Sequence, residues 1–141
     1  MNLTFVTPEK KILVNHAVES VVVPGFRGEL DLREGHAPLM TTLKVGIMRW
    51  KNKSGVDANK VQKAVVTWGY CEVSPDGVKV LADIVDFPEE IDAAAAKQGL
   101  MNAEKKLVQQ TLSDKDREET QKEMARMNAQ LQLLKEIGRG S

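Results

Sequence analysis

The stretch GFRGELDLREGHAPLMTTLKVGIMR, residues 25–49, decides the fold class. It holds four of the chain's ten glycines, and Pro38 within it and Pro24 just before it are two of the five prolines. Short apolar runs lie between them at 29–32, 39–43 and 46–50. Glycine and proline at that density punctuate tight turns between strands and leave no room for a long helix.

The same pattern continues on both sides. Leu3, Phe5 and Thr7 alternate with Thr4 and Val6, which predicts a first strand. Ile12 and Leu13 form a short partner strand. Residues 18–23 are a β-branched run closed by Pro24-Gly25, which predicts a strand buried on both faces. Polar residues 51–59, with Gly55 among them, read as a hairpin loop. Val61, Ala64, Val65 and Val66 begin the next strand, which leads through Trp68-Gly69 into 70–74. Pro75-Asp76-Gly77 is a turn signal, with proline in its second and glycine in its fourth position. Residues 77–82 are the last strand. About eight to ten short strands without intervening helices predict an antiparallel β-sandwich or flattened barrel over residues 1–86.

Beyond Asp86 the chain changes character: Gly99 is the one glycine before 138, and Ala, Glu, Lys, Gln, Leu and Met dominate. Asp86 is expected to cap a helix, with Pro88 in its first turn and Glu89 three residues on. Ala93, Ala96, Leu100, Ala103 and Leu107 recur at helical spacing. Ser113 and Asp116 mark a second helix start, and Met124, Met127, Leu131 and Leu134 form its stripe, which frays into 138–141. Residues 87–141 therefore read as an antiparallel two-helix hairpin, making the chain α+β. Alanine buries little apolar area, and at about 25 cal/mol per Å2 such a stripe docks weakly. The hairpin either packs where it folds or leaves for another surface.

Composition excludes more than it assigns. The chain has 20 basic and 20 acidic residues and no cationic run, so nucleic acid or an anionic membrane surface finds no electrostatic footprint. No apolar run is long enough to span a membrane. Glu9, Lys10 and Lys11 fall where a signal peptide needs an apolar core, and the single Cys71 suits a reducing compartment. These features predict a cytoplasmic protein.

Catalytic chemistry has little to stand on. His16 has no acid or nucleophile near it in sequence, and His36 lies in the turn 34–38, where backbone hydrogen bonding is the simpler role. Two histidines and one cysteine are too few for a metal site, and none are paired at ligand spacing. No phosphate-binding glycine loop occurs. Ser20, Ser54, Ser74, Ser113 and Ser141 lie in no nucleophile elbow. An enzyme is not expected, although a small hydrolase using His36 and a free-standing adaptor are the alternatives. On the second helix Lys115, Lys122 and Arg126 share a face, flanked by Glu118, Glu119 and Glu123. That face is either solvated and laced by ion pairs or meets an acidic partner.

The residues themselves resemble a family. The opening LTFVTPEKKIL, Val21 to Gly25, Gly28-Glu29-Leu30, Gly35-His36-Ala37-Pro38-Leu39 and Leu43-Lys44-Val45-Gly46 resemble the epsilon subunit of bacterial F-type ATP synthase. So do Gly69-Tyr70-Cys71-Glu72-Val73 and the run 78–83. Trp68 stands where that family usually has a glycine.

The resemblance implies a non-catalytic rotor subunit of the central stalk, peripheral on the cytoplasmic face of the bacterial inner membrane and without membrane insertion. Its sandwich would bind the gamma subunit on one side and the c-ring on the other, with Glu29, Arg33, Glu34 and His36 as c-ring contacts. Its hairpin would extend into the alpha/beta hexamer and block ATP hydrolysis, with Lys115, Lys122 and Arg126 facing the beta subunit. Several members bind ATP through an I/L-D-x-x-R-A motif. Here Ile91-Asp92 is followed by Ala95-Ala96, so alanine replaces the arginine, and no cofactor is expected.

Overall fold

A computed structural model describes residues 1–58, 60–109 and 111–138. Asn59, at the end of the expected hairpin loop, and residues 139–141, at the end of the expected fray, lie outside the described residues. The chain divides into two compact units, Met1–Val85 and Asp86–Ser141.

The first unit is a seven-stranded sheet that folds over on itself. Its strands are β1 (Asn2–Val6), β2 (Lys11–Gly25), β3 (Gly28–Arg33), β4 (Leu39–Leu43), β5 (Gly46–Asn52), β6 (Val61–Ser74) and β7 (Gly77–Asp86). The hydrogen-bonded order is β1-β7-β6-β4-β2-β3, β5 pairs with both β2 and β6, and β1 pairs back onto β2. That last pairing closes the circuit. Every pair with a described register is antiparallel except β1–β7, which is parallel, with Leu3 opposite Val78 and Val6 opposite Leu81.

Three expectations change here. Residues 12–13 and 18–23 belong to one 15-residue strand, β2, and 61–74 is one 14-residue strand, β6. Short candidates thus merge into long strands, and the count falls to seven. Local sequence showed a break at Asn15, where φ is 47°, but β1 bridges it by pairing with both sides. In residues 18–23 only Val18, Val21 and Val23 are buried, while Val22 is partly exposed and Glu19 exposed. The strand buried on both faces is instead β6, over Ala64, Val65, Val66 and Thr67.

A corner folds the sheet into a sandwich. Strands β4 and β5 lie along the same edge of β6 in one continuous register, with Leu43 facing Gly69 and Gly46 facing Val66. The interruption at Lys44-Val45 falls opposite Thr67-Trp68, and Trp68 has a φ of 31°. Left-handed backbone at a non-glycine residue costs on the order of 1 kcal/mol or more, which is why glycine suits this position. Next to it, a Cβ on Gly69 would overlap the Leu81 carbonyl oxygen of β7. Where the ladder is interrupted, the Thr67 hydroxyl bridges to β7: Ile84 N–H donates to it at 3.0 Å, and it donates to Ile84 O at 3.3 Å. On β2 the same line ends at Pro24, whose carbonyl accepts from Lys44 N–H at 3.0 Å. The core inside carries Leu3, Phe5, Val18, Val21, Val23, Leu32, Met48, Ala64, Val78 and Val80, and Phe5 meets Trp50 edge to face at 5.8 Å.

The second unit opens with a 3-10 turn, Pro88–Glu90, followed by α1 (Ala93–Leu107) and α2 (Asp114–Glu136). Asp86 does not cap α1. It is the last residue of β7, and Asp92 caps the helix by accepting from Ala95 N–H at 3.1 Å. Sequence misplaced the start because the Asp86/Glu89 spacing imitates a capping box. Ser113 does cap α2, accepting from Asp116 N–H at 3.1 Å.

Cys71 of β6 is fully buried, and burial pushes its thiol from 9.0 up to about 12. The folded state therefore holds that proton after the unfolded chain has released it. This contribution is fully present below pH 9.0 and falls by about 1.4 kcal/mol per pH unit as pH rises toward 12. Urea unfolding of the wild type and Cys71→Ala across this range is expected to show the steeper alkaline loss only in the wild type.

Candidate functional site

Two regions collect the residues singled out by sequence. The first is the outer surface of β3 and the turn after it. Alternation places Glu29, Asp31 and Arg33 on the exposed face of β3 and buries Leu32 on the other. Arg33 O accepts from His36 N–H at 3.1 Å, Gly35 between them adopts φ 84°, and His36 Nδ1 lies 2.8 Å from Ala37 O. Glycine is the residue that enters that conformation without strain. Arg33, Glu34 and His36 line a groove of about 520 Å3 with Val73 to Val78 and the amino terminus.

Glu29 does not share that groove. It lies four residues back along β3, about 13 Å at strand rise, and lines a separate depression of about 460 Å3. There it pairs with Arg49 of β5 at 3.0 Å, while Arg33 pairs with Asp31 at 3.4 Å. Sequence missed Arg49 as a partner, because only the sheet register brings β5 to one edge of β2 and β3 to the other. It also missed Phe26 and Met40 in that depression, 68% and 67% exposed. Phe26 sits in the connection between Gly25 and Gly28, the one available signal that it could not be core.

The second region is the hairpin. Helices α1 and α2 pack against each other, and Gly99 lies against the Met127 sulfur, so a Cβ there would force that flexible side chain to move. Arg117 of α2 donates to Leu107 O at 3.1 Å, satisfying a carbonyl in the last turn of α1. Ile91, Asp92, Ala95 and Ala96 line a groove of about 430 Å3 with Asp86, Glu90, Glu123, Arg126, Met127 and Gln130. Ile91 and Ala96 are buried, and Asp92 is occupied as the helix cap.

Lys115, Lys122 and Arg126 have different settings in this structure. Lys115 is exposed and Lys122 lies 3.8 Å from Glu118, one turn earlier on its own helix. Arg126 turns the other way and grips Asp86 at two points, Nε to Oδ2 at 2.8 Å and Nη2 to Oδ1 at 2.7 Å. Those hydrogen bonds raise the Arg126 pKa above its ordinary value, against the opposing effect of burial. Of the residues lining this groove, Arg126 is the sole cation, set among Asp86, Glu90, Asp92 and Glu123. Among the described residues, no group of three or more His, Cys, Asp or Glu is placed to hold a metal ion. No helix is long and apolar enough to cross a membrane.

Residues 1–87 match the family described as ATP synthase, delta/epsilon chain, β-sandwich domain. The chain is 48% identical to the ATP synthase epsilon chain of Bdellovibrio bacteriovorus over 136 residues, 96% of this chain and 95% of that one. It is 34% identical to ATP synthase epsilon chain 1 of Syntrophotalea carbinolica over 140 residues, 99% and 97% of the two. Its fold is that of a chain in the Euglena gracilis mitochondrial ATP synthase structure of OSCP, F1 and c-ring, with a TM-score of 0.82, 21% identity and coverage of 95% and 81%. A chain from the central stalk and c-ring of the Tetrahymena thermophila mitochondrial enzyme gives a TM-score of 0.69 at 14% identity, covering 94% and 95%. A β-sandwich followed by a helical hairpin is thus the build of the ATP synthase delta/epsilon class. The chain belongs to the bacterial F-type ATP synthase epsilon subunit family.

Proposed function

We propose that this chain is a non-catalytic rotor subunit of the central stalk, peripheral on the cytoplasmic face of the membrane, that links gamma to the c-ring. Its C-terminal hairpin restrains ATP hydrolysis by extending toward the alpha/beta hexamer. Family membership supports the assignment, and the hairpin supplies the observation that carries the mechanism. On α1 the buried contact residues are small, Ala96 and Ala103 with Gly99 between them, and bury little apolar area, so large apolar burial in the two helices is confined to Leu133 and Leu134 of α2. Such a pair separates at modest cost. Glu29, with Arg33, Glu34 and His36 on the β3 side, faces the c-ring in this reading.

The hairpin groove argues against nucleotide. Alanine at 95 removes the motif's phosphate donor, and the remaining cation, Arg126, is already neutralised by Asp86. A triphosphate would meet Glu90, Asp92 and Glu123 with no free partner in the groove. Calorimetry of the isolated subunit is expected to show no ATP binding tighter than millimolar, and micromolar affinity would contradict this.

Deleting residues 87–141 is expected to leave a folded sandwich that still binds gamma, and to raise hydrolysis by the assembled enzyme several-fold. Unchanged hydrolysis would remove the inhibitory role. Glu29→Ala is expected to lower proton pumping per ATP more than Glu9→Ala does. The lost Glu29–Arg49 pair is a surface contact worth about 0–1 kcal/mol, so folding should not obscure the comparison. Equal pumping by the two variants would move the c-ring contact elsewhere.

A further inference from the structure

We propose that the Asp86–Arg126 pair is a clasp that sets how often the hairpin opens, and that a carboxylate-rich segment of a partner competes with Asp86 for the Arg126 guanidinium. The inference rests on the reading above, in which α2 leaves its folded position.

Three observations carry it. The pair spans 40 residues of sequence and ties the middle of α2 to Asp86, just ahead of the α1 cap, so the hairpin cannot open at that end while both bonds hold. The Asp86 side chain is only 13% exposed, against 37% for Arg126. Its carboxylate therefore gets little help from water if the arginine departs, and its groove neighbours Glu90, Asp92 and Glu123 are of the same sign. Finally, the large buried side chains of α2, Leu133 and Leu134, lie about two turns beyond Arg126, so this two-point contact is a separate, directed hold on the middle of the helix.

The chemistry of the clasp selects its opener. A guanidinium forks onto any carboxylate with the same geometry, so Arg126 gives up little when it exchanges Asp86 for an acidic side chain on a partner. In water it would lose both directed bonds. The hairpin then stays closed in the free subunit and opens beside an acidic surface. Arg126 has two successive roles, and Asp86 is the competitor that keeps it from the second.

The test is a distance measurement by pulsed electron spin resonance on the intact subunit, with labels at the exposed positions Ala94 of α1 and Gln132 of α2. Buried, protonated Cys71 stays unlabelled. Asp86→Ala, and the shape-preserving Asp86→Asn in case the alanine variant folds poorly, should raise the ratio of open to closed hairpin about tenfold. Arg126→Leu should open the free hairpin to the same extent. The double exchange Asp86→Arg with Arg126→Asp should close it again. In the assembled enzyme the single variants should diverge: Asp86→Asn should deepen inhibition of hydrolysis and Arg126→Leu relieve it. Unchanged distances in folded Asp86→Asn would overturn the clasp, even if deletion of 87–141 still raised hydrolysis. An opened hairpin with hydrolysis moving the same way in both single variants would overturn the competition.

Discussion

Strand β6 has to satisfy β5 with one half of its length and β4 with the other while the sheet turns a corner between them. A flat ladder cannot do this, and the conflict is settled at one residue, Trp68, where the backbone enters left-handed space. The bend is shared by adjacent strands: Lys44-Val45 breaks the neighbouring strand opposite it, and Pro24-Gly25 ends β2 on the same line. Gly69 then lets β7 approach so closely that no side chain would fit. Bends and glycines placed together are how sheets curve and close. Once the corner is made, Leu3, Phe5, Trp50 and Val80 face one interior, and β1 can return to β2.

The hairpin is held by different physics. The sandwich buries branched and aromatic side chains across a closed circuit of hydrogen bonds. The hairpin relies on caps at Asp92 and Ser113, a close approach at Gly99, the Arg117 bond to Leu107 O and the Asp86–Arg126 pair. Apart from Leu133 and Leu134, its described contacts are mostly polar, and a guanidinium–carboxylate pair such as Asp86–Arg126 can be exchanged for an equivalent one. Apolar burial in the sandwich has no such substitute.

Surface charge follows the same division. Glu29, Asp31, Arg33 and Arg49 form pairs on the strand surface, where such pairs contribute little to stability. Arg126 is forked onto Asp86, a carboxylate largely shielded from water, so its choice of partner carries free energy. Counting charges along α2 made Lys115, Lys122 and Arg126 look equivalent. Burial and partners separate them.

The sequence by itself determined the class of fold, most strand positions, the Pro75-Asp76-Gly77 turn, the Ser113 cap and the two-helix form of residues beyond 86. Those depend on local periodicity and turn chemistry, which sequence carries directly. It also supplied the family, through motifs at Gly28-Glu29-Leu30 and Gly35-His36-Ala37-Pro38. Tertiary structure alone decided that β2 and β6 are single long strands, because β1, β4 and β5 bridge their local breaks. It alone showed that Glu29 answers Arg49 and that Arg126 answers Asp86, since both pairs join residues 20 and 40 apart in the chain. Spacing along a chain reports on one helix or strand at a time. Which charge meets which is fixed by register and packing between them.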